Sequence, residues 1–259
     1  MNTWLLLDSG PCPPAFNMAL DEALLELAPD TAAPVLRCYG WTEPAATFGY
    51  FQRYAEIERL TMLRPLLRRP TGGGLVPHDA DWTYSLAFPA GHEWHGLKAE
   101  ASYRHVHEWL RLAFARLGVE TELASCCRPG AGQCFQGYEQ HDLLWHGRKI
   151  AGAAQRRTKT GLLIQGSVQP PPLRLDRTAW QVALQEVAEA EWGVAWQQLA
   201  WPVNPTSSPQ PSSPSAGGTG VSNLPGPESW ELALVGDLKR RAKTLLTDKY
   251  SHARFHRKR

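Results

Sequence analysis

The chain has 259 residues, 43% of them hydrophobic and 20% charged, enough apolar material for one large domain or two small ones, which excludes a disordered or fibrous protein. No apolar run approaches the roughly 20 residues a membrane-spanning helix needs, and the opening MNTWLLLDSG lacks the basic start and long apolar stretch of a leader, so a soluble, cytoplasmic protein is expected. Net charge is only +2, but Lys239 to Arg259 holds nine Lys or Arg against one acid, Asp248, leaving 18 basic and 24 acidic residues in the rest.

Taken in chain order, Ala15 to Leu27 places Met18, Leu20, Ala23, Leu24 and Leu27 at helical spacing, whereas Val35 to Tyr39 and Trp82 to Phe88 have the pattern of strands. Ser102 to Leu117 is an amphipathic helix. Asp142 to Trp145 and Arg148 to Ala154 flank His146-Gly147, a hairpin-like turn, and Gly161 to Val168 offers a third adjacent strand. Arg177 to Glu191 reads as a helix. Pro202 to Pro227 then holds seven Pro, six Ser and four Gly in 26 residues, a composition that cannot bury enough apolar surface to offset its ordering entropy. The division expected is a compact domain over 1–201, a linker or insertion over 202–228, and a basic helix and tail over 229–259, the helix running from Ser229 to Leu246. Short strands in meanders with helices between them predict an α+β fold around a central mixed, mostly antiparallel sheet. The basic tail suits an acidic partner or a solvated end; with only Tyr250 and Phe255 as stacking residues, nucleic acid is not expected, nor is a membrane.

Three segments could carry chemistry. Arg68-Arg69-Pro70-Thr71-Gly72-Gly73-Gly74 leads to His78 and Asp79; three glycines cost backbone entropy, which is reasonable where the backbone approaches a ligand, and the spacing fits neither a phosphate loop nor a dinucleotide fingerprint. Gly147-Arg148-Lys149-Ile150-Ala151-Gly152-Ala153-Ala154 puts Lys149 on a strand followed by small residues, so Lys149 is either a solvated lysine or a groove lysine that donates to a carbonyl or takes a proton. Cys126-Cys127-Arg128-Pro129-Gly130-Ala131-Gly132-Gln133-Cys134-Phe135 is a glycine-containing loop in which Cys134 is either an accessible, thiolate-prone nucleophile or an inert thiol. The five cysteines (Cys12, Cys38, Cys126, Cys127 and Cys134) have no regular spacing and form no CxxC pair beside His141 and His146, so neither a disulfide framework nor a metal site is expected.

Leu36-Arg37-Cys38-Tyr39-Gly40-Trp41, the Arg69 to Gly74 run with His78 and Asp79, and Gly147-Arg148-Lys149-Ile150-Ala151-Gly152 occur in an order that resembles the biotin/lipoate protein ligase and octanoyltransferase superfamily over about Trp4 to Val168. Cys134-Phe135 ahead of Tyr138-Glu139 and the Gly147 to Gly152 strand looks most like the cysteine-dependent octanoyltransferase branch related to lipoate ligase A. The resemblance implies a sheet that cradles a medium-chain acyl group beside the glycine loop. It implies transfer of octanoyl from acyl carrier protein through Cys134 to a lysine of a lipoyl domain or glycine cleavage H protein, with no cofactor. Lys149 would stabilise the thiolate or act as base. Arg69, Thr71, Gly72, Gly73, Gly74, His78, Gly152 and Ala153 would bind substrate. The alternatives are an ATP- and Mg-dependent lipoate ligase, in which Cys134 is incidental, and a non-catalytic paralogue that binds octanoylated or lipoylated proteins. The Pro202 to Pro227 stretch falls outside the family pattern.

Overall fold

The computed structural model describes residues 2–129, 135–201 and 229–258. In chain order the elements are β1 (Asn2–Cys12), α1 (Pro14–Glu26), α2 (Ala28–Thr31), β2 (Val35–Trp41), β3 (Ala45–Phe48), α3 (Tyr54–Ile57), β4 (Leu66–Arg68), β5 (Val76–His78), β6 (Trp82–Pro89), α4 (Glu93–Gly96) and α5 (Ala99–Arg116). They continue with β7 (Glu122–Leu123), β8 (Leu143–Trp145), β9 (Arg148–Arg157), β10 (Gly161–Val168), α6 (Arg177–Trp192), β11 (Val194–Gln198), α7 (Ser229–Leu245), one π-helical turn (Leu246–Tyr250) and α8 (Ala253–His256). An eight-stranded sheet runs β11-β1-β2-β6-β10-β9-β8-β7, and a small sheet runs β4-β3-β5. In the large sheet β11, β1 and β2 are mutually parallel and every other pair is antiparallel. The expected α+β fold with a mixed, mostly antiparallel sheet is the one observed.

Local chemistry explains several boundaries. Pro14 occupies the first turn of α1, where its missing N–H costs nothing. The Asp176 carboxylate accepts from the Ala179 N–H at 2.8 Å to start α6, and Gly193, at φ 62°, ends it. His146 and Gly147 both have positive φ, which gives the β8–β9 hairpin the twist of its strands.

Strand alternation divides the large sheet into two chemically different faces. Trp4, Leu36, Cys38, Trp82, Tyr84, Leu86, Phe88, Leu162, Ile164 and Val168 point to one face and pack under α5 and α6. Trp4 is ringed there by Trp94, Trp109, Trp192 and Trp196, with centroids 5.9–6.0 Å away and mostly edge-to-face. On the other face Leu5, Leu7, Val35 and Ala87 pack with α1, while the middle of β2, β6 and β10 presents Arg37, Tyr39, Thr83, Ser85, Gln165 and Ser167. That polar patch holds the site.

The segment after residue 228 belongs to the same body. Leu234, Val235, Leu238, Ala242 and Leu245 of α7 are buried against Met18, Leu20 and Leu24 of α1 in the second core. Its charges are engaged as well: Lys249 Nζ lies 2.6 Å from Glu22 Oε2, and Arg241 pairs with Glu26. The sequence reading sets a basic helix and tail over 229–259 after the 1–201 domain; in the structure the apolar stripe of α7 packs on α1, which places Arg241 beside Glu26 and Lys249 beside Glu22. The interval 202–228 lies outside the described residues. Among the described residues no helix is long and apolar enough to cross a membrane, and no group of three or more His, Cys, Asp or Glu is arranged to hold a metal ion.

One core group fixes a pH response. His107 on α5 is fully buried, its Nδ1 is 3.0 Å from the Tyr103 carbonyl oxygen, and burial pushes its pKa down to about 4. The folded state therefore binds fewer protons than the unfolded chain between about pH 6.5 and about pH 4, and stability falls as pH drops through that window. The difference amounts to about 3 kcal/mol at its lower end. Urea unfolding across that range is expected to lose much of its acid slope in His107→Leu; an unchanged slope would assign the acid sensitivity to other groups.

Candidate functional site

The polar face of the large sheet and the small sheet enclose a slot. Met18 from α1, Tyr39 from β2, Thr83 from β6 and Gln165, Gly166 and Ser167 from β10 form one side, with Gly152, Ala153 and Ala154 of β9. Thr47, Arg69, Gly73, Val76 and His78 form the other, and Phe135 stands at the end. The space between the walls is about 450 Å³, most of it open to solvent at the mouth. A wider cleft of about 850 Å³ adjoins it, lined by Pro77, Arg128, Phe135, Gln136, Gly137, Tyr138, Gly147, Arg148, Lys149 and Gln169. Phe135 borders both.

The sheet side of the slot is built on a buried ion pair. Arg37 NH1 lies 2.6 Å from Asp21 Oδ1, and both side chains are fully buried. Asp21 also accepts from Tyr39 OH at 2.8 Å, Ser85 Oγ at 2.8 Å and Gln165 Nε2 at 2.7 Å. Thr71 then donates to Gln165 Oε1 at 2.7 Å, which ties the glycine loop to this network. A buried charge pair is tolerable only when its remaining hydrogen-bonding positions are filled, and here Tyr39, Ser85 and Gln165 fill those of Asp21 while Ser9 and Asn17 fill those of Arg37.

The glycine loop joins β4 to β5. Arg69 reaches across it to the Gly72 carbonyl, and a Cβ on Gly49 would lie 2.0 Å from the Gly73 oxygen, so β3 and the loop touch backbone to backbone. His78 is fixed on three sides. Its Nε2 is 2.8 Å from Thr47 Oγ1, its Nδ1 is 2.9 Å from Asp81 Oδ2, and Trp41 stacks on its ring with centroids 4.0 Å apart. Asp81 Oδ2 also accepts from Thr83 and from Ser167.

Lys149 is neither a solvated strand lysine nor an unassisted base. Its side chain is 4% exposed, and its Nζ lies 2.6 Å from Asp142 Oδ2. Asp142, fully buried, also accepts from Tyr103 OH and from the Glu139 N–H, the latter at 2.7 Å. The carboxylate therefore joins α5, the end of the 125–141 segment and β9. Lys149 passes directly over Gly152: a Cβ there would sit 2.6 Å from Lys149 Cε and 2.7 Å from Nζ. That is the packing reason for glycine three residues after the lysine.

Of the residues predicted from sequence, Arg69, Gly73, His78, Gly152 and Ala153 line the slot. Lys149 lines the cleft beside it. Thr71 lies buried behind the slot as the link to Gln165, while Gly72 and Gly74 are not among the lining residues. Cys134 lies outside the described residues. The described cysteines are free thiols, Cys12 and Cys38 buried, Cys126 and Cys127 exposed. Burial pushes Cys38 up to about 12, which makes it inert. Sequence reading missed Asp21, Thr47, Asp81, Asp142 and Gln165. The alternation Arg37-Cys38-Tyr39 and Ile164-Gln165-Gly166-Ser167-Val168 carries a signal for a polar face; Asp81, three residues from His78, and Asp142, across the His146-Gly147 hairpin from Lys149, are near in the chain, and their spacing is the signal that could have found them.

A model of the lipoyl protein ligase A/B catalytic domain matches residues 13–169, a span that contains every described lining residue of the slot and of the cleft. The chain belongs to that family. It is 38% identical over 179 residues to the octanoyltransferase LipM of Geobacillus kaustophilus, which covers 64% of each chain. It is 36% identical over 180 residues to the octanoyltransferase LipM of Bacillus subtilis, over 64% of this chain and 65% of the relative. The chain thus spans somewhat less than two thirds of the length of these curated relatives. The fold is shared with the protein Ta0514 of T. acidophilum with bound lipoic acid (TM-score 0.70, 18% identity, 99% of each chain). It is also shared with a lipoate-protein ligase A bound with ATP (TM-score 0.69, 18% identity, 99% of each chain).

In this family member Asp142→Asn is expected to cost about 3–5 kcal/mol in urea unfolding, because it leaves the Lys149 ammonium buried without its counter-charge. The double change Asp142→Leu with Lys149→Met is expected to recover most of that loss. Equal stability of Asp142→Asn and wild type would mean that the pair is not buried in solution.

Proposed function

We propose that the protein is an octanoyltransferase that moves an octanoyl group from acyl carrier protein to a lysine of a lipoyl domain or glycine cleavage H protein, through a thioester on Cys134 and without ATP. The observation that carries this reading is the position of Lys149, whose ammonium is held by Asp142 against Gly152, where the slot meets the cleft. Two further facts support it: Phe135, the residue that follows Cys134 in the chain, borders slot and cleft alike, and the curated relatives are octanoyltransferases.

In the first transfer the Cys134 thiolate attacks the thioester carbonyl, a carbon–sulfur bond to Cys134 forms, and the carrier thiolate leaves and takes up a proton. In the second, the neutral amine of the acceptor lysine attacks the new thioester, the carbon–nitrogen bond forms as the carbon–sulfur bond to Cys134 breaks, and the proton lost from nitrogen is taken up by the departing Cys134 thiolate or by solvent. Thioester exchange is nearly balanced in energy, and the amide makes the second step run downhill. Asp142 holds the Lys149 ammonium in place at 2.6 Å, so the lysine serves as a fixed positive charge and hydrogen-bond donor for thiolate and oxyanion. The slot takes the acyl chain, with Met18, Val76, Gly152, Ala153, Ala154 and Phe135 as its apolar contacts and Arg69, Gly73 and His78 along it. The basic cleft with Arg128 and Arg148 receives the carrier and the acceptor, both of which are acidic proteins in this reading.

Incubation with octanoyl-acyl carrier protein in the absence of ATP is expected to add one octanoyl group to the intact mass of the protein, and Cys134→Ser to abolish the adduct. Octanoylation of a lipoyl domain only when ATP is supplied, with no adduct, would make the protein a lipoate ligase. Binding of the octanoylated domain with no transfer at all would make it a non-catalytic paralogue.

Lys149→Ala is expected to lower single-turnover acyl transfer by about two orders of magnitude, the scale of losing a positioned charge or proton-transfer group. Circular dichroism of the same sample checks that the fold is retained. An unchanged rate would remove Lys149 from the chemistry.

A further inference from the structure

The last turns of the chain reach the slot from behind on both sides. Strand β4 is an edge strand, and the Arg68 N–H on it donates to His256 Nδ1 at 3.0 Å. The Arg68 guanidinium, itself buried, donates to the carbonyls of His256 at 2.9 Å and Lys258 at 2.6 Å through one nitrogen, and to those of Tyr50 and Gln52 through the other. Residues 49–52 are in turn the support of the glycine loop: the Tyr50 N–H donates to the Thr71 carbonyl at 2.8 Å, and Gly49 is in backbone contact with Gly73.

The opposite wall is held by the same segment. Glu22 of α1, one turn beyond Met18 of the slot, accepts from Lys249 Nζ at 2.6 Å, from Tyr250 OH at 2.7 Å and from Arg156 NH1 at 3.0 Å. Arg156 lies on β9 two residues beyond Ala154, which lines the slot. His256 Nε2 donates to the Tyr250 carbonyl at 2.8 Å and so closes the connection between the two walls. With Nδ1 accepting and Nε2 donating, the ring is fixed as one neutral tautomer.

We propose that Lys249–Lys258 braces the acyl slot, with Arg68 and His256 as positioning residues that set the separation of the glycine loop from the β9 wall. The inference rests on the reading of the slot as the acyl site. Nothing in the brace touches the acyl chain; it acts on binding through the walls. Its loss leaves the Arg68 guanidinium buried with two acceptors gone, and the loop that it supports becomes freer to move.

The test uses the full chain and a chain ended after His252, which retains α7, Lys249, Tyr250 and the second core. The probe is S-octyl-pantetheine, a thioether that cannot transfer its chain. The shortened chain is expected to bind the probe about tenfold more weakly and to exchange the amide hydrogens of Thr71 to Leu75 at least tenfold faster. Its KM for the octanoyl donor is expected to rise about tenfold while single-turnover deacylation changes less than twofold. Because the deletion can perturb folding, His256→Ala is measured alongside, with His256→Asn, whose amide oxygen can take the place of Nδ1, expected to restore probe binding. A cooperatively folded shortened chain that binds the probe as tightly as the full chain, or exchanges the loop no faster, overturns the brace. If the full chain binds no octyl probe, the acyl reading itself fails, and the exchange comparison still decides whether the segment holds the loop.

Discussion

The sheet side of the slot is referred to one buried carboxylate, Asp21. Its charge is cancelled by Arg37 at 2.6 Å, and its remaining acceptor positions are filled by Tyr39, Ser85 and Gln165. Two charges taken out of water cost several kcal/mol each, and their attraction repays this only in a tight geometry. The arrangement therefore tolerates little displacement of α1, β2, β6 or β10 relative to one another. The slot inherits that rigidity, because Tyr39, Gln165 and Met18, one turn before Asp21, are also its lining. A site built on the members of a sheet and a helix is held more closely than one built on loops.

The glycine-loop side is built differently. It is a three-stranded sheet with a small core of Ala46, Phe48, Ile57, Leu66 and Leu75, too little on its own to hold a wall in place. Its position is set by Leu67 of β4, buried in the second core, by the stack of His78 on Trp41, and by polar contacts to the rest of the molecule: Thr71 to Gln165, His78 to Asp81, and Arg68 to His256. One wall of the slot is thus part of the main body, and the other is attached to it by one apolar anchor and a set of hydrogen bonds.

Much of the scaffold was legible in the sequence because periodicity is a local signal. The helix over Ala15 to Leu27, the strands Val35 to Tyr39, Trp82 to Phe88 and Gly161 to Val168, and the His146-Gly147 hairpin all lie where the apolar spacing and turn chemistry put them. Strand β1 was not picked out, because Trp4-Leu5-Leu6-Leu7 has no alternation: both of its faces are covered, so the period-two signal vanishes. The three-residue strands β4 and β5 are too short to have a pattern. At the site, the motifs identify Arg69, His78 and Lys149 by residue type and order, but not the carboxylates that fix them. Asp142 reads only as the first residue of a strand, and Asp81 falls just ahead of another. Asp142 meets Lys149 across the β8–β9 hairpin, and Asp81 meets His78 across the short turn between β5 and β6, so both are near in the chain, but which way their side chains turn is decided by burial that apolar periodicity does not encode.

The indole cluster around Trp4 has an optical consequence. Trp94, Trp109 and Trp192 lie 5.3–6.0 Å from one another or from Trp4, far inside the range over which excited indoles exchange energy. Light absorbed by any of them is shared before it is emitted, so the ultraviolet emission of this group reports the packing of the helical face as one unit. Trp41 stands apart on the other face, stacked on His78 and donating to Thr83. It is the indole whose emission answers to the slot, and a histidine ring in face contact with it can quench that emission through charge transfer, so the two faces of one sheet have separate optical signatures.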